Sequence, residues 1–126
     1  MGDGSQKTYD LEERTAKFGE AVIEFALEIP VTAVKKPLIE QLVKAATSVG
    51  ANYCEADDAE SDSDFIHKIS ICCKEAHETK HWLRMIAKAQ PDLKPQTREL
   101  WKEIRELHLI LATIIRNVKQ RSRRAD

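Results

Sequence analysis

Mostly hydrophobic residues recur along this chain at alternating intervals of three and four positions. The first such series consists of Leu11, Thr15, Phe18, Val22, Phe25 and Ile29. Because an α-helix completes a turn in about 3.6 residues, this spacing keeps the series on one face of a helix. The last series is the most regular one and consists of Leu100, Ile104, Leu107, Leu111, Ile114 and Val118. The pattern therefore predicts an amphipathic helix at each end of the chain.

Two further series lie between these helices and have the same spacing. They consist of Leu38, Leu42, Ala45, Val49, Asn52 and Ala56, and of Phe65, Ile69, Cys72, Ala76, Thr79, Leu83 and Ile86. Pro37 suits a first turn, the Ser61-Asp62-Ser63 run supplies a cap for the third helix, and no alternating strand pattern is visible. The sequence predicts an all-α fold, an antiparallel up-down-up-down four-helix bundle over residues 11–121. Residues 1–10 are predicted to be a disordered N-terminal segment and residues 122–126 a basic C-terminal tail.

Composition narrows the class of protein without naming a partner. The chain has 126 residues, of which 42% are hydrophobic and 33% charged, with a net charge of −1. This length suits one domain, and no apolar run approaches the roughly 20 residues that span a bilayer. Three cysteines and no visible export signal favour reduced thiols in the cytoplasm, with no membrane partner.

The segment HETKH, residues 77–81, has the H-E-x-x-H spacing of a zinc peptidase. With the third helix's stripe centred on Ala76, His77 and His81 fall about 100° and about 140° away from the core. The motif is thus predicted to lie on the outside of the bundle. Arg84 also occupies the position of the glycine that precedes a third zinc ligand in the longer signature. These features argue against a peptidase.

Two other metal sites are considered and not favoured. Cys73, His77 and His81 form a stripe of soft ligands, for which a solvated or subunit-facing flank is the simpler interpretation. The acidic run EADDAESDSD has Ser63 and Ile69 where a calcium loop counted from Asp58 needs glycine and glutamate. We therefore expect no metal and no cofactor, with metal binding by the soft-ligand stripe left as an alternative.

One long signature resembles a known family. ATSVGANYCEADDAESDSDFIHKISICCKEAHET, residues 46–79, is similar to the bacterial four helix bundle protein family, whose founding members are encoded by intervening sequences within 23S rRNA genes. The resemblance implies an up-and-down bundle that assembles into a homopentameric ring. A related branch serves as the accessory protein of diversity-generating retroelements, which implies nucleic acid and a reverse transcriptase or other protein as partners. Lys44 stands where the family usually has arginine, and His81 where it usually has an aromatic residue.

Several polar residues lie on or near the predicted core stripes. Arg14 lies about 40° from the centre of its stripe, and a charge so close to a core is costly unless it is paired. In an antiparallel bundle, Glu55 or Asp64 is the predicted partner of Arg14. A structural polar network is predicted from Arg14, Ser48, Asn52, Glu55, Asp64 and Glu75. The alternative is that these residues line a ligand pocket or catalytic centre. Because no nucleophile–base pair can be recognised among them, we expect a protein that is not an enzyme.

Basic residues concentrate in the last helix. Residues 1–34 carry 3 basic and 7 acidic groups, whereas residues 96–126 carry 8 basic and 4 acidic ones. The basic residues of this segment are Arg98, Lys102, Arg105, Arg116, Lys119, Arg121, Arg123 and Arg124. Such segregation favours a nucleic-acid-binding surface. Together with the family resemblance, it makes RNA the expected ligand in preference to DNA. The alternative is a structural or protein-partner scaffold that binds no nucleic acid.

Five hydrophobic residues lie away from their predicted core stripes. They are Ile23, Ile39, Trp82, Met85 and Leu109. Several such residues on one small domain favour burial against neighbouring subunits, although single exposed hydrophobic side chains are normal. These outliers predict a homo-oligomer, and the family resemblance makes five subunits the expected number.

Overall fold

The computed structural model of the chain describes residues 10–125 and contains no strand within that range. Its four α-helices are α1 (Leu11–Leu27), α2 (Lys35–Asp57), α3 (Asp62–Ala89) and α4 (Lys94–Ala125), and a short 3-10 helix covers Pro91–Leu93. The predicted all-helical class and the four helices are confirmed. Except for Asp10, the predicted N-terminal segment lies outside the described residues. The predicted tail is helical as far as Ala125, so α4 is longer than its hydrophobic stripe indicated.

Local hydrogen bonds explain where two helices begin. The Asp10 side chain accepts a hydrogen bond from the Glu13 N–H at the start of α1. At the start of α3, the Ser61 hydroxyl accepts one from the Asp64 N–H at 3.1 Å. The predicted cap of the third helix is therefore confirmed, with Ser61 as the capping residue. Both side chains satisfy amide groups that have no partner inside the first turn of a helix.

The core is made from the predicted stripes. All six residues of the first stripe are buried, five of them in α1 and Ile29 just after it, and Ile104, Leu107 and Leu111 of α4 are fully buried. Five stripe residues keep part of their surface exposed: Leu38, Asn52, Phe65, Leu100 and Ile114. Burial of these apolar side chains stabilises the fold at about 25 cal/mol for each Å² removed from water.

Consecutive helices pack against each other in reverse residue order. Between α2 and α3, Lys68 Nζ donates to Glu55 Oε1 at 2.7 Å, and Cys72 Sγ donates to the Val49 carbonyl oxygen at 3.4 Å. Between α3 and α4, the Ser122 hydroxyl donates to Asp62 at 2.9 Å. The α1–α2 contact includes Gly50, where an added Cβ would lie 3.4 Å from Thr15. Early residues of one helix thus meet late residues of the next.

A helix that spans a membrane must be long enough and sufficiently apolar over that length. Over residues 10–125, no helix has both the length and the apolar character needed to cross a bilayer.

Candidate nucleic-acid interface

The eight basic residues predicted from the sequence all lie on α4, and every one is exposed. We call them the basic face; they are Arg98, Lys102, Arg105, Arg116, Lys119, Arg121, Arg123 and Arg124. One continuous helix carries them, so their relative positions are fixed over the whole length of α4. Exposed guanidinium and ammonium groups are the groups that bind a phosphate backbone.

Few carboxylates neutralise the basic face within the described part of the chain. Lys102 Nζ lies 3.4 Å from Glu99 Oε2, and Arg121 Nη2 lies 3.6 Å from Asp62 Oδ1. More than half of each of these four side chains is exposed, so both pairs are weak and open to exchange with another anion. Among residues 10–125, the other six basic-face residues have no carboxylate within 4.0 Å.

Arg14 of α1 explains why the acidic residues of α4 leave the basic face free. Its Nε donates to Glu103 Oε2 at 2.8 Å and its Nη2 to Glu103 Oε1 at 2.9 Å. The same Nη2 lies 3.0 Å from Glu106 Oε1. Two of the three acidic residues of α4 are therefore held on the flank that faces α1. The hydrogen bonds to Glu103 raise the pKa of the Arg14 guanidinium, while partial burial acts in the opposite direction.

The predicted partner of Arg14 was therefore wrong. Arg14 was expected to pair with Glu55 or Asp64, but its partners lie on α4. The helical stripe shows how far a residue lies from the core, but it does not show which neighbouring helix lies on that side. The requirement that a mostly buried guanidinium be paired holds, and a bidentate contact with Glu103 satisfies it.

The remaining residues of the predicted polar network make separate local contacts. Glu55 pairs with Lys68, and the Asn52 amide donates to the Ser48 carbonyl oxygen at 2.9 Å within α2. Asp64 is exposed, and only its backbone N–H is bonded to the Ser61 cap. Partial burial, with Glu78 nearby, raises the pKa of Glu75. Across the described residues, hydrogen bonds between these side chains do not join the six into one network.

A pocket between α3 and α4 lies beside the basic face. We call it the α3–α4 pocket; it has a volume of about 500 Å³. Among the described residues, no carboxylate lines it, and four cations do: Arg84, Lys94, Arg98 and Lys102. Trp101 forms another part of its wall and is 40% exposed. A pocket with four positive charges and an accessible aromatic ring can bind a flat, anionic molecule.

Two members of this pocket were missed in the sequence. Lys94 precedes the first residue of the predicted stripe by six positions and is followed by Pro95, so the stripe did not include it, yet α4 begins at Lys94. Proline has no backbone N–H, and the N–H groups of a helix's first turn have no partner inside the helix. Pro95 is therefore compatible with the first turn of α4. Arg84 was examined only as the residue that breaks the zinc signature. Its spacing from Lys80 and Lys88, by four residues each way, was the available signal that α3 carries basic residues on this side.

The HETKH segment lies on the outside of α3, as predicted. His77 and His81 are both exposed, and the His81 ring stacks edge-on against Trp82 with 4.8 Å between ring centroids. Lys80 Nζ lies 3.0 Å from His108 Nδ1 of α4. Burial lowers the pKa of both groups, with Arg105 adding to the effect on Lys80 and Lys80 adding to the effect on His108. Residues 10–125 contain no group of three or more side chains placed to hold a metal ion.

Exposed apolar residues cluster at the end of α1 and in the connection that follows it. Leu27, Val31 and Val34 are 81%, 71% and 70% exposed, and Ile23 is 42% exposed. We call these four the apolar patch. Of the five residues singled out in the sequence, only Ile23 and Leu109 are exposed; Ile39, Trp82 and Met85 are partly buried. The connection residues were missed because they lie outside any helical stripe.

Comparisons with known proteins agree with the fold and the signature. A model of the 23S rRNA-intervening sequence protein family matches residues 7–113. The chain is also similar to a protein of unknown function from the S23 ribosomal protein family of Bacteroides thetaiotaomicron VPI-5482, whose crystal structure is known. The two share 27% sequence identity and a TM-score of 0.74 over 82% of this chain and 96% of that one. No curated protein matches the chain significantly.

Proposed function

Because the chain belongs to the 23S rRNA-intervening sequence protein family, we propose that it is a non-enzymatic, homo-oligomeric helical bundle that binds RNA. The observation that carries this proposal is the basic face, eight exposed cations on one helix. An antiparallel up-down-up-down order of the helices is part of the proposal. The reverse order of the contacts between consecutive helices supports it.

The electrostatics favour a polyanion as the ligand even though the whole chain has a net charge of −1. Binding depends on the local arrangement of charges, because at physiological salt a charge is screened beyond about 8 Å. Arg14 holds Glu103 and Glu106 on the side of α4 that faces α1. A phosphate backbone that follows α4 therefore meets cations and few carboxylates. We favour RNA over DNA because the family is named for sequences within 23S rRNA.

Assembly is proposed to occur through the apolar patch. Leu27, Val31 and Val34 expose most of their surface, and several large apolar side chains exposed in one short segment favour an interface between proteins. The patch lies at the α1–α2 connection, whereas the basic face lies on α4. The proposed contact between subunits is therefore made by different elements from the proposed contact with RNA. The family resemblance makes a pentameric ring the proposed form.

A catalytic role is not part of the proposal. Burial raises the pKa of the Cys72 thiol to about 12, whereas a nucleophilic cysteine needs a lowered pKa. The carboxylates Glu55, Glu103 and Glu106 are engaged by Lys68 and Arg14.

A cytoplasmic location is also proposed, since the exposed thiol of Cys54 is free and suits a reducing compartment. A reverse transcriptase or another protein of nucleic-acid metabolism is the proposed partner class.

The second candidate function is a scaffold that binds proteins and no nucleic acid. The apolar patch favours it, because the same surface that joins subunits can bind a different protein. The two candidates differ in what they predict for the basic face. A scaffold needs these cations only for solubility, whereas an RNA-binding protein needs them for affinity.

Charge reversal distinguishes the two candidates. We expect the triple variant Arg116→Glu, Lys119→Glu, Arg123→Glu to lose RNA affinity by at least about tenfold in an anisotropy titration at low salt. The matched control is Lys17→Glu, Lys36→Glu, Lys44→Glu, which reverses three exposed cations of α1 and α2 and changes the net charge equally. Equal affinity losses in the two variants, or no RNA binding by the wild type, would favour the scaffold.

A further inference from the structure

We propose that the α3–α4 pocket seats one unpaired nucleotide of an RNA strand, with its base stacked on Trp101 and its phosphates held by the surrounding cations. This inference rests on the proposed RNA binding and specifies which form of RNA the protein prefers. It follows from the lining of the pocket, which combines an accessible aromatic ring with positive charge and contains no carboxylate.

Trp101 is placed as a stacking platform rather than as a core residue. It is 40% exposed, although it lies only one position from the partly buried Leu100 and three from the fully buried Ile104. The apolar side chains of Leu83 and Ala87 from α3 form the opposite part of the wall. A nucleobase that enters the pocket therefore finds a ring to stack on and apolar groups beside it. Stacking of this kind is tolerant of base identity, because every base has a π face.

The cations are spaced for a flexible phosphate chain. Lys94, Arg98 and Lys102 follow one another at four-residue intervals, so they rise along α4 by about 6 Å per step on nearly the same side. Arg84 supplies a fourth cation from α3. Within residues 10–125, Lys102 alone of these four cations has a carboxylate neighbour, Glu99 at 3.4 Å, and this exposed pair is weak enough for a phosphate to replace the carboxylate.

An unpaired strand fits these features better than a duplex. In a paired helix the bases are enclosed in the stack and the deep groove of A-form RNA is closed to side chains, so a duplex presents mainly its backbone. Trp101 then has no base to stack on. An acidic peptide can meet the charges but gains little from Trp101, because carboxylate side chains carry no flat ring. Single-stranded RNA uses both parts of the pocket.

Tryptophan fluorescence tests the stacking directly. The chain has two tryptophans, so Trp82→Phe leaves Trp101 as the sole reporter. Trp82 is the suitable one to remove, since its buried Nε1 has no hydrogen-bond partner among the residues that the structure describes. We expect a short unstructured RNA strand to quench the Trp101 emission, and a fully paired RNA hairpin or polyglutamate to leave it nearly unchanged.

Affinity measurements on the full-length protein complete the test. We expect Trp101→Leu to weaken binding of the single strand by about tenfold and to leave binding of the hairpin nearly unchanged. Trp101→Phe is the matched control and should restore most of the affinity, because phenylalanine also stacks. Circular dichroism melting confirms that each variant is folded, which the exposed position of Trp101 favours.

Each outcome decides a different question. A selective loss of single-strand binding in Trp101→Leu, which Trp101→Phe restores, supports the nucleotide-binding site in the α3–α4 pocket. If Trp101→Leu leaves the single-strand affinity unchanged, the proposed nucleotide site in the α3–α4 pocket is wrong. If charge reversal of Arg116, Lys119 and Arg123 abolishes binding in the same experiment, the basic face is still the RNA-binding surface. Equal quenching by polyglutamate also overturns the proposed nucleotide site. No binding of any RNA by the wild type overturns both proposals.

Discussion

A single arginine of α1 sets the distribution of charge on α4. Arg14 is three-quarters buried, and its guanidinium binds both carboxylate oxygens of Glu103 and one oxygen of Glu106. Without this residue, two carboxylates would be released next to the basic face. Arg14 therefore contributes to the stability of the fold and, through the electrostatics of α4, to the proposed binding of RNA.

Replacement of Arg14 by methionine tests this dual role. We expect Arg14→Met to lower the free energy of unfolding by about 1 kcal/mol, discounted for the partial exposure of both partners, and to weaken RNA binding as well. Lys17→Met is the control, since Lys17 lies 3.9 Å from Glu13 in an exposed pair and should change stability by less than about 0.5 kcal/mol. Thermal melting measures the stability of both variants. Equal melting temperatures for the two variants would contradict the assigned role.

Sequence periodicity predicted the direction of side chains better than their partners. The outward position of His77 and His81 followed from helical geometry alone, because it depends only on the angle from the core stripe. The partner of Arg14 depended on which helix lies beside α1 and at what height. That information comes from packing between helices and is absent from the pattern of any one helix.

At the scale of the helices, the start of α3 depends on a local signal. Ser61 has extended backbone angles, and its hydroxyl accepts a hydrogen bond from the Asp64 N–H. The loop between α2 and α3 is short, so the cap also fixes where α3 begins relative to α2. The same turn brings the acidic residues Asp62 and Asp64 to the positive end of the helix dipole, where they are stabilising.

Ser61→Ala measures the contribution of this cap. We expect a loss of about 1 kcal/mol in the free energy of unfolding, because the Asp64 N–H loses its partner. Ser63→Ala is the matched control: Ser63 lies inside the first turn and is exposed, and alanine is the better helix former. Denaturant unfolding should therefore show Ser61→Ala destabilised and Ser63→Ala unchanged or slightly stabilised. The reverse order of stability would refute the assignment of the cap.

The length of α4 was underestimated from the sequence for a physical reason. The hydrophobic stripe ends at Val118, but the helix continues to Ala125. Arginine has high helix propensity, and Arg123 and Arg124 in the last turn interact favourably with the negative end of the helix dipole. A stripe reports only the part of a helix that contacts the core. The part that extends beyond the stripe carries much of the basic face.

At the scale of the molecule, the apolar patch and the basic face lie on different elements. The patch lies at the end of α1 and in the α1–α2 connection, and the basic face lies on α4. The sequence predicted exposed apolar residues but identified only Ile23 of this patch. The proposed association of subunits through the patch would bury apolar surface of α1 and the α1–α2 connection, whereas the proposed RNA contact is made by α4.

Light scattering at micromolar concentration tests this assembly. We expect a mass several times the 14.3 kDa of one chain, with five subunits as the proposed number. Leu27→Glu combined with Val31→Glu should lower the mass, because each carboxylate would be buried in the interface at high cost. Leu109→Glu is the control; Leu109 is 56% exposed but lies on α4, so the mass should not change. A wild-type mass of one chain would rule out assembly.

The salt dependence of RNA affinity measures most directly whether α4 binds a phosphate backbone. Each phosphate contact releases counterions, so log K should fall with log salt by about 0.7 per contact on a single strand. We expect a steep negative slope for the wild type between about 50 mM and about 200 mM salt. The slope should become shallower by roughly 2 when Arg116, Lys119 and Arg123 are reversed. A flat slope, or a slope that these three substitutions leave unchanged, would show that the basic face of α4 does not bind RNA.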